Sequence, residues 1–379
     1  MGTMLQMRLA VACPLAVMTL APVQAQVQET VLHNFTVATG MNPTAGVTLA
    51  PDGIYGTAPI GGTGGTADYG VVYKWDTAHR YKVLYNFTGG MRPSSRVVLD
   101  SAGNLYGAAA NDTGQGVVYK LDPAGNYTVL QNFTDGPSSD VILDSDGNLY
   151  GTVPYGTAAG AVYKLDSAGN YTTLYSFTGG DGGGEPEAGV VRDSAGNLYG
   201  TTAQGGGYGG GVVYKLDVDG NYTVLYRFRE RFTYPNGLVL APDGLYGTTG
   251  GLSTDSGGGG TTLTAGMLYK LDASAHFTVL HNFRGGNGGD NPIAGVTRDS
   301  AGNLYGTTAH GGTANCGVVY KLDAAGNYAV LYNFDGADGD APQAGVSVTP
   351  AGNLVGTTIG GGKYDQGGAG VLFELTGVQ

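Results

Sequence analysis

The densest group of carboxylates in the sequence is a run of three aspartates near its carboxyl end. Asp335, Asp338 and Asp340 lie in the segment Asp-Gly-Ala-Asp-Gly-Asp. Carboxylate oxygens are ligands that Ca²⁺ prefers, and closely spaced aspartates are typical of calcium-binding loops. This segment is therefore the best metal candidate in the sequence, although it brings no further ligand set with it.

Further acidic side chains fall in two other glycine-rich segments. Asp181, Glu185 and Glu187 occupy one of them, and Asp290 occupies the other. Carboxylates gathered on one surface could bind a divalent cation, a basic ligand or a hydroxyl-rich ligand. The alternative is a solvated acidic surface that keeps the protein in solution, in keeping with the net charge of −12. The same charge disfavours nucleic acid as a partner.

His310 and Cys316 share one loop, where the histidine could serve as a ligand or as a base. The alternative is a loop histidine without a role, because the residue at this position varies freely between the repeats described below. The sequence contains no nucleophile elbow, no His-Glu-x-x-His and no phosphate-binding loop. We therefore predict no catalytic residue.

These candidate residues interrupt a repeated sequence. Its clearest copy, Asp193 to Thr202, reads Asp-Ser-Ala-Gly-Asn-Leu-Tyr-Gly-Thr-Thr. The central pair of this repeat occurs as Tyr55-Gly56, Tyr106-Gly107, Tyr150-Gly151, Tyr199-Gly200, Tyr246-Gly247, Tyr305-Gly306 and, in degenerate form, Val355-Gly356. The intervals run from 44 residues (Gly107 to Gly151) to 59 residues (Gly247 to Gly306). Such a period predicts a repeat architecture.

Each repeat contains four short segments of strand-like composition. In one repeat they are residues 189–193, 197–202, 211–217 and 221–228, all rich in Val, Tyr, Thr, Leu or Phe. Asp-x-x-Gly-Asn turns join the segments as hairpins, since Asp caps the turn with its side chain and Gly takes the positive φ. No segment after residue 25 shows a helical apolar period. Seven four-stranded units predict an all-β fold, a seven-bladed β-propeller.

The two ends of the chain fit a closed propeller. The last unit stops after its third strand, residues 370–375, and a lone strand, Thr30 to Phe35, stands before the first unit. This lone strand matches the fourth strand Tyr328 to Phe334. We expect it to complete the last blade, which would close the ring and remove the exposed sheet edges. Residues 26–379 are thus predicted to form a single propeller domain.

The first 25 residues have the layout of a secretory signal peptide. A positive charge at Arg8 precedes the apolar run Leu9 to Leu20, and a cleavage site follows Ala25. We expect a secreted extracellular or periplasmic protein, with lipidation of Cys13 as the weaker alternative. Cleavage leaves Cys316 as the last cysteine, so no intramolecular disulfide can form. No later apolar run is long enough to span a membrane, and we expect a monomer.

The predicted topology separates two faces of the propeller. The near-uniform turns between first and second strands and between third and fourth strands lie on what we call the hairpin face. The loops between second and third strands and the connections between blades vary, and they lie on what we call the variable face. The candidate residues belong to the variable face, where loops held by a rigid scaffold commonly carry function. The insertion Leu252 to Thr264 in the fifth blade is expected to be a flap or a tolerated loop.

Four residues depart from their repeats inside the predicted strands. Arg192 and Arg298 replace an apolar residue of the first strand. Buried arginines are costly unless paired, so we expect each to contact a carboxylate, for example a hairpin aspartate. His33 and His281 replace a tyrosine of the fourth strand, and we expect them to pack between blades.

The repeat begins with Gly-Val-Val-x-Asp-Ser-Ala-Gly-Asn-Leu-Tyr-Gly-Thr-Thr and continues with Gly-Val-Val-Tyr-Lys-Leu-Asp and Tyr-Thr-Val-Leu-Tyr-x-Phe. This pattern closely resembles the GloVer (Gloeo_Verruco) extracellular tandem repeat family. The resemblance covers essentially the whole chain after residue 25. It implies an exported bacterial protein and brings no established activity or catalytic residue. Family members sometimes carry a C-terminal sorting anchor, and none is expected here. The first two strands also resemble propeller repeats of the NHL and lactonase type.

These observations favour a non-enzymatic propeller that binds an extracellular polysaccharide or protein through its variable face. Ca²⁺ is the cofactor to consider, at the three clustered aspartates. The alternative is a metal-assisted propeller lyase or hydrolase that acts on a polysaccharide or a lactone-like substrate. That alternative requires several of the carboxylates to meet around one pocket with His310 or an arginine.

Overall fold

In a computed structural model of the protein, the described residues are 26–63, 69–137, 139–156, 159–229, 233–251, 265–363 and 368–378. The predicted signal peptide, residues 1–25, and the insertion, residues 252–264, lie outside them. The described residues form seven four-stranded antiparallel sheets and no α-helix, with single 3₁₀ turns at Gly180–Gly182 and Gly286–Gly288. The predicted all-β fold, a seven-bladed β-propeller, is confirmed.

The chain begins with strand β1 (Gln28–Asn34), which belongs to the last blade. Blade 1 then contains β2 (Thr48–Ala50), β3 (Gly53–Ala58), β4 (Val71–Asp76) and β5 (Tyr81–Asn86). Blade 2 contains β6 (Val98–Leu99), β7 (Leu105–Ala110), β8 (Gly116–Leu121) and β9 (Tyr127–Phe133). Blade 3 contains β10 (Ile142–Leu143), β11 (Leu149–Val153), β12 (Ala161–Leu165) and β13 (Tyr171–Ser176).

Blade 4 contains β14 (Val191–Arg192), β15 (Leu198–Thr202), β16 (Val212–Leu216) and β17 (Tyr222–Arg227). Blade 5 contains β18 (Pro235–Ala241), β19 (Gly244–Thr249), β20 (Met267–Leu271) and β21 (Phe277–Asn282). Blade 6 contains β22 (Thr297–Arg298), β23 (Leu304–Thr308), β24 (Val318–Leu322) and β25 (Tyr328–Asn333). Blade 7 contains β26 (Ser347–Val348), β27 (Leu354–Thr358) and β28 (Val371–Thr376). In its sheet β1 pairs antiparallel with β28, so that Glu29 lies opposite Leu375.

The hairpin motif forms the turn that its residue types predict. Asp193 Oδ1 accepts a hydrogen bond from the Asn197 backbone N–H at 2.8 Å, and Gly196 takes a φ of 93°. The structure adds a contact that the motif alone does not predict. The Tyr199 hydroxyl donates to Asp193 Oδ2 at 3.0 Å, and the Asn197 side-chain amide donates to the same oxygen at 2.7 Å. One aspartate therefore ties the turn to the strand that follows it.

The glycine of each Tyr-Gly pair makes room for a core aromatic ring. A Cβ atom at Gly107 would lie 2.6 Å from the hydroxyl oxygen of the fully buried Tyr119. The other tyrosine-bearing blades repeat this arrangement, and in blade 7 Phe373 lies over Gly356. A larger residue in place of the glycine would overpack the blade.

The hydrophobic core consists of clusters that each join two neighbouring blades. Tyr85 and Phe87 of blade 1 pack with Leu105 and Tyr119 of blade 2, and Phe35 and Leu372 of blade 7 pack with blade 1. The predicted packing role of the two strand histidines is confirmed by their ring contacts. His33 stacks on Tyr81 and His281 on Tyr328, each with ring centroids 3.8 Å apart.

Buried and partly buried hydroxyl groups link neighbouring blades near their inner strands. Thr307 Oγ1 of blade 6 donates to the Ala344 carbonyl of blade 7 at 2.9 Å, and Ser347 Oγ of blade 7 donates to the Val47 carbonyl of blade 1 at 2.8 Å. Satisfied buried hydroxyls of this kind stabilise and orient packed elements. The first threonine of the Tyr-Gly-Thr-Thr motif therefore holds the blades together as well as forming a strand.

Candidate functional site

The innermost strands of the blades surround a central cavity of about 770 Å³. Around it, β6 contacts β10, and β14, β18, β22 and β26 contact one another in that order. Each of these strands starts at the variable face, because the connection from the preceding blade lies there. The volume falls within the range of roughly 300–1,000 Å³ that is usual for small-ligand sites. The mouth of this channel is thus a concave site on the variable face.

Polar residues stand at the channel mouth, and a ring of small residues lies just inside it. Thr44, Ser94, Glu187 and Gln343 line the mouth. In five of the seven blades, glycine stands immediately before the buried Val or Leu at the start of the innermost strand. These glycines are Gly46, Gly189, Gly237, Gly295 and Gly345. A Cβ atom at Gly345 would lie 2.9 Å from the Gly295 carbonyl oxygen, so the close approach of these two backbones requires glycine at position 345.

Arg96 and Asp140 replace this glycine in blades 2 and 3. The Arg96 backbone N–H donates to Asp140 Oδ1 at 2.6 Å, and Arg96 Nε lies 3.7 Å from Asp140 Oδ2. A Cβ atom at Gly46 would lie 2.9 Å from Arg96 Nη2, so the glycine of blade 1 leaves space for the guanidinium group. The two side chains keep 40% and 43% of their surface exposed. The channel wall therefore carries one accessible ion pair.

Sequence reasoning missed this pair. Neither residue belongs to a known motif, and neither stands beside another candidate in the chain. A signal was nevertheless present, because five of the seven repeats have glycine at the aligned position and two consecutive repeats have opposite charges. An alignment of the first strands by register would have found it.

Among the acidic candidates between blades 3 and 4, Glu187 lies at the channel mouth. Desolvation raises the pKa of its carboxyl group, and the nearby charge of Glu185 adds to this shift. The Tyr155 hydroxyl donates to Glu187 Oε1 at 3.4 Å, which opposes the shift. Glu185 itself takes a left-handed φ of 56°, and Asp181 is exposed in the 3₁₀ turn Gly180–Gly182.

The structure brings Asp290 and His310 together through their backbones. The Asp290 N–H donates to the His310 carbonyl at 2.9 Å, and the His310 N–H donates to the Asp290 carbonyl at 3.1 Å. The His310 side chain is exposed. The same backbone pairing joins Gly184 with Gln204 and Asp340 with Gly360. This backbone pairing is therefore a repeated structural contact, and the side chains at the paired positions differ from blade to blade.

Two of the three clustered aspartates, Asp335 and Asp338, use their carboxylates as hydrogen-bond acceptors within the protein. Asp338 Oδ1 accepts from the Asp335 N–H and Asp335 Oδ1 accepts from the Ala337 N–H, each at 2.9 Å. The Tyr332 hydroxyl donates to Asp338 Oδ2, and Asp340 is held through its backbone. In the described part of the chain, no three His, Cys, Asp or Glu side chains are grouped closely enough to hold a metal ion. A calcium site at these aspartates stays a prediction.

The two strand arginines differ from each other. Arg298 is partly buried, and its Nη2 lies 3.9 Å from Oδ1 of the hairpin residue Asp243, as expected. The expectation for Arg192 is wrong, because its side chain is exposed and its guanidinium carbon lies 5.5 Å from the centre of the Tyr150 ring. Among the described residues no carboxylate forms an ion pair with Arg192, and solvent and the face of Tyr150 surround its charge.

The repeat sequence itself assigns the family. The sequence profile of the Gloeobacter/Verrucomicrobia repeat matches residues 16–182, 110–261 and 253–379. The chain belongs to the Gloeobacter/Verrucomicrobia repeat family. These matches together extend from residue 16 to the last residue, so the Gloeobacter/Verrucomicrobia repeat accounts for every blade. No curated protein matches the chain.

Comparison with solved structures finds matches of low sequence identity. The extracellular domain of a protein described as a one-component system from B. thetaiotaomicron has a TM-score of 0.57 and 10% identity, over 93% of this chain and 40% of that chain. A chain of the Mitotic Checkpoint Complex has a TM-score of 0.52 and 13% identity, over 96% and 98% of the two chains. A protein described as a gluconolactonase has a TM-score of 0.43 and 14% identity, over 93% and 92%. This chain thus spans about 40% of the first of these structures. Identities this low relate folds and no activities.

No helix among the described residues is long and apolar enough to cross a membrane.

Proposed function

We propose that this Gloeobacter/Verrucomicrobia repeat protein is an exported, non-enzymatic propeller that binds an extracellular polymer or protein through its variable face. Export rests on the signal-peptide layout of residues 1–25, with cleavage after Ala25. After cleavage, residues 26–379 form the binding domain.

The proposal rests on one observation: the loops of the variable face keep the same backbone pairing from blade to blade, while their side chains differ. The backbone pairing between blade connection and loop joins Gly184 with Gln204 in blade 4 and Asp290 with His310 in blade 6. The hairpin face, in contrast, repeats one Asp-capped turn with little change. Side-chain diversity on a rigid frame is how loop surfaces acquire specificity. The variable face therefore has the properties of a binding surface.

The charge of this face narrows the class of partner. Asp181, Glu185 and Glu187 lie in the connection between blades 3 and 4, where the charge of Glu185 acts on Glu187. An acidic surface attracts basic groups and accepts hydrogen bonds from hydroxyl groups, and it repels polyanions. Hydroxyl-rich polymers and basic protein segments are therefore the partners to test first.

The proposal is tested with purified residues 26–379 on a glycan array and in pull-downs from culture medium. The variant Asp181→Asn with Glu185→Asn removes two charges from the variable face, and asparagine tolerates the left-handed φ at position 185. The matched control, Asp146→Asn with Asp219→Asn, removes two exposed charges from the hairpin face. We expect weaker binding for the first variant and unchanged binding for the control. Equal loss in both, or no retained partner, would contradict the proposal.

A further inference from the structure

The central channel contains two charged residues at a position where the other repeats have glycine. Five blades place glycine at the narrow ring, whereas blades 2 and 3 place Arg96 and Asp140 there. Close backbone approach between blades requires glycine at Gly189, Gly295 and Gly345, whereas a Cβ atom at Gly237 would meet no atom within 4 Å. Two adjacent charged residues at this position therefore call for a reason other than the packing of the ring.

The donor groups of Arg96 are available in the channel. Within the described part of the chain, its guanidinium group makes no hydrogen bond, and 40% of the side chain is exposed although the Nε atom itself is buried. The nearest carboxylate oxygen, Asp140 Oδ2, is 3.7 Å from Nε, beyond hydrogen-bond distance. Asp140 Oδ1 accepts the Arg96 backbone N–H, which orients the carboxylate beside the guanidinium. The pair thus offers donors and acceptors side by side.

We infer that the channel mouth binds a neutral, hydroxyl-rich carbohydrate unit, with Arg96 and Asp140 as its polar contacts. This inference rests on the proposed binding function and deepens it. Each sugar hydroxyl donates and accepts a hydrogen bond, which matches an arginine beside a carboxylate. The charged residues of the lining are Arg96, Arg298, Asp140 and Glu187, two positive and two negative. The channel therefore has no net charge that would attract an acidic sugar.

Size and surroundings favour a chain end over a protein surface. The cavity of about 770 Å³ accommodates one or two sugar rings, and a folded partner cannot enter it. Thr44, Ser94 and Gln343 supply further polar groups at the mouth, and the half-exposed ring of Tyr234 lies in the same wall. Deeper in the channel, the lining contains Val98, Ile142 and Val191, and the Thr297 hydroxyl there donates to the Val346 carbonyl.

The repeat provides the least disruptive variant. In Arg96→Gly with Asp140→Gly, both residues become the one that the other blades carry at the same place. The second variant, Asp140→Asn, keeps an oxygen for the Arg96 backbone N–H and removes the charge. The matched control is Arg80→Gln with Asp76→Asn. It removes an ion pair of 2.7 Å on the hairpin face, outside the lining of the channel.

The experiment measures binding of residues 26–379 to an array of neutral and acidic glycans, followed by titration of the retained oligosaccharide. We expect the Kd to rise at least tenfold in the double glycine variant and to rise in Asp140→Asn, with the control within twofold of the unchanged protein. Melting curves verify that each variant is folded. If only Asp140→Asn folds, the Kd of this variant decides whether the channel binds the oligosaccharide.

The outcomes separate the two proposals. Glycan binding that survives both channel variants but is lost in Asp181→Asn with Glu185→Asn would overturn the channel site and leave the proposed function standing. Retention of acidic glycans alone, or of a protein instead of a glycan, would overturn the assigned ligand class. Failure to retain any glycan or protein would overturn both.

Discussion

Tyr85 of blade 1 lies flat on Tyr127 of blade 2, with ring centroids 4.5 Å apart and planes within 6° of parallel. The same stack joins Tyr175 with Tyr222, Tyr226 with Phe277, and both strand histidines with their tyrosines. Each stack closes the outer part of an interface between blades. Stacked pairs of this kind contribute about 0.5–1.5 kcal/mol beyond their buried area.

The interface between blades 6 and 7 replaces this stack with a carboxyl group. Glu29 of β1 lies opposite Leu375, in the register that Tyr328 has opposite Leu322. It therefore stands where an aromatic residue would stack on Tyr332. Burial, and then the charges of Asp338 and Asp335, raise the pKa of Glu29 to about 7. Ionisation of Glu29 thus weakens the contact that holds the first strand.

Glu29→Gln should remove a pH dependence of stability. In the unfolded chain Glu29 ionises near its ordinary pKa of 4.5, and in the folded protein near 7. The folded state binds the extra proton between these values, so stability from this group is full below pH 4.5 and is lost as the pH rises through 7. We expect the Tm of Glu29→Gln to match that of the unchanged protein near pH 4.5 and to exceed it at pH 8. A constant difference at every pH would show that Glu29 does not titrate there.

Glu29→Tyr should go further, because it also restores the missing ring. We expect a higher Tm than for Glu29→Gln at pH 8, and slower proteolysis of the first strand. A Tyr332→Leu background serves as the control, since the added tyrosine then has no ring to stack on. Equal gains with and without Tyr332 would contradict the stacking explanation.

Tyr119→Phe should leave stability unchanged or raise it by up to about 1 kcal/mol. The Tyr119 hydroxyl is buried and has no hydrogen-bond partner in the described part of the chain, and blade 7 carries Phe373 at the equivalent place. The matched control is Tyr106→Phe in the same blade, whose hydroxyl donates to Asp100 Oδ2 at 3.0 Å. We expect the control to lose about 1 kcal/mol. Urea unfolding measures both, and a clear loss for Tyr119→Phe would indicate that the hydroxyl has a partner, such as a buried water.

Gly107→Ala should destabilise blade 2 by about 1–3 kcal/mol, since the added methyl group overlaps the Tyr119 hydroxyl. Gly182→Ala is the control, because no atom lies within 4 Å of a Cβ atom built there. Thermal unfolding of both variants checks the prediction. If the two substitutions cost the same, chain flexibility and not the packing of Tyr119 explains the glycine.

Thr307→Val should cost about 1–3 kcal/mol, because the buried Ala344 carbonyl loses its donor from the neighbouring blade. Thr307→Ser keeps the hydroxyl and should recover most of the loss. Urea unfolding again provides the measurement. A serine variant as unstable as the valine variant would assign the effect to the methyl group and its packing.

Much of the fold could be predicted because it depends on residues close together in the chain. Asp193 and Gly196 lie within one turn, so their types alone predict the hairpin. Strand composition and the recurrence of the Tyr-Gly pair predict the blades in the same local way. The division into a hairpin face and a variable face then follows from the alternation of turns and loops.

The candidate site was predicted only in part. The sequence placed Glu187 on the variable face, and the structure adds that it lines the channel mouth. The clustered aspartates illustrate the limit, because Asp335 and Asp338 have the right type for metal ligands and also for capping a turn. Their carboxylates accept turn hydrogen bonds in the structure, and spacing alone does not distinguish the two uses.

The sequence by itself determined the seven repeats, the four strands in each and the turns between them, since these rest on local propensity and spacing. The tertiary structure decided which distant residues meet. Arg96 and Asp140 are 44 residues apart and touch because neighbouring blades bring their inner strands to one narrow channel. Glu29 and Tyr332 interact across the seam between the ends of the chain. Such contacts depend on how the blades pack around the channel axis. No local residue pattern encodes the distance between side chains of different blades.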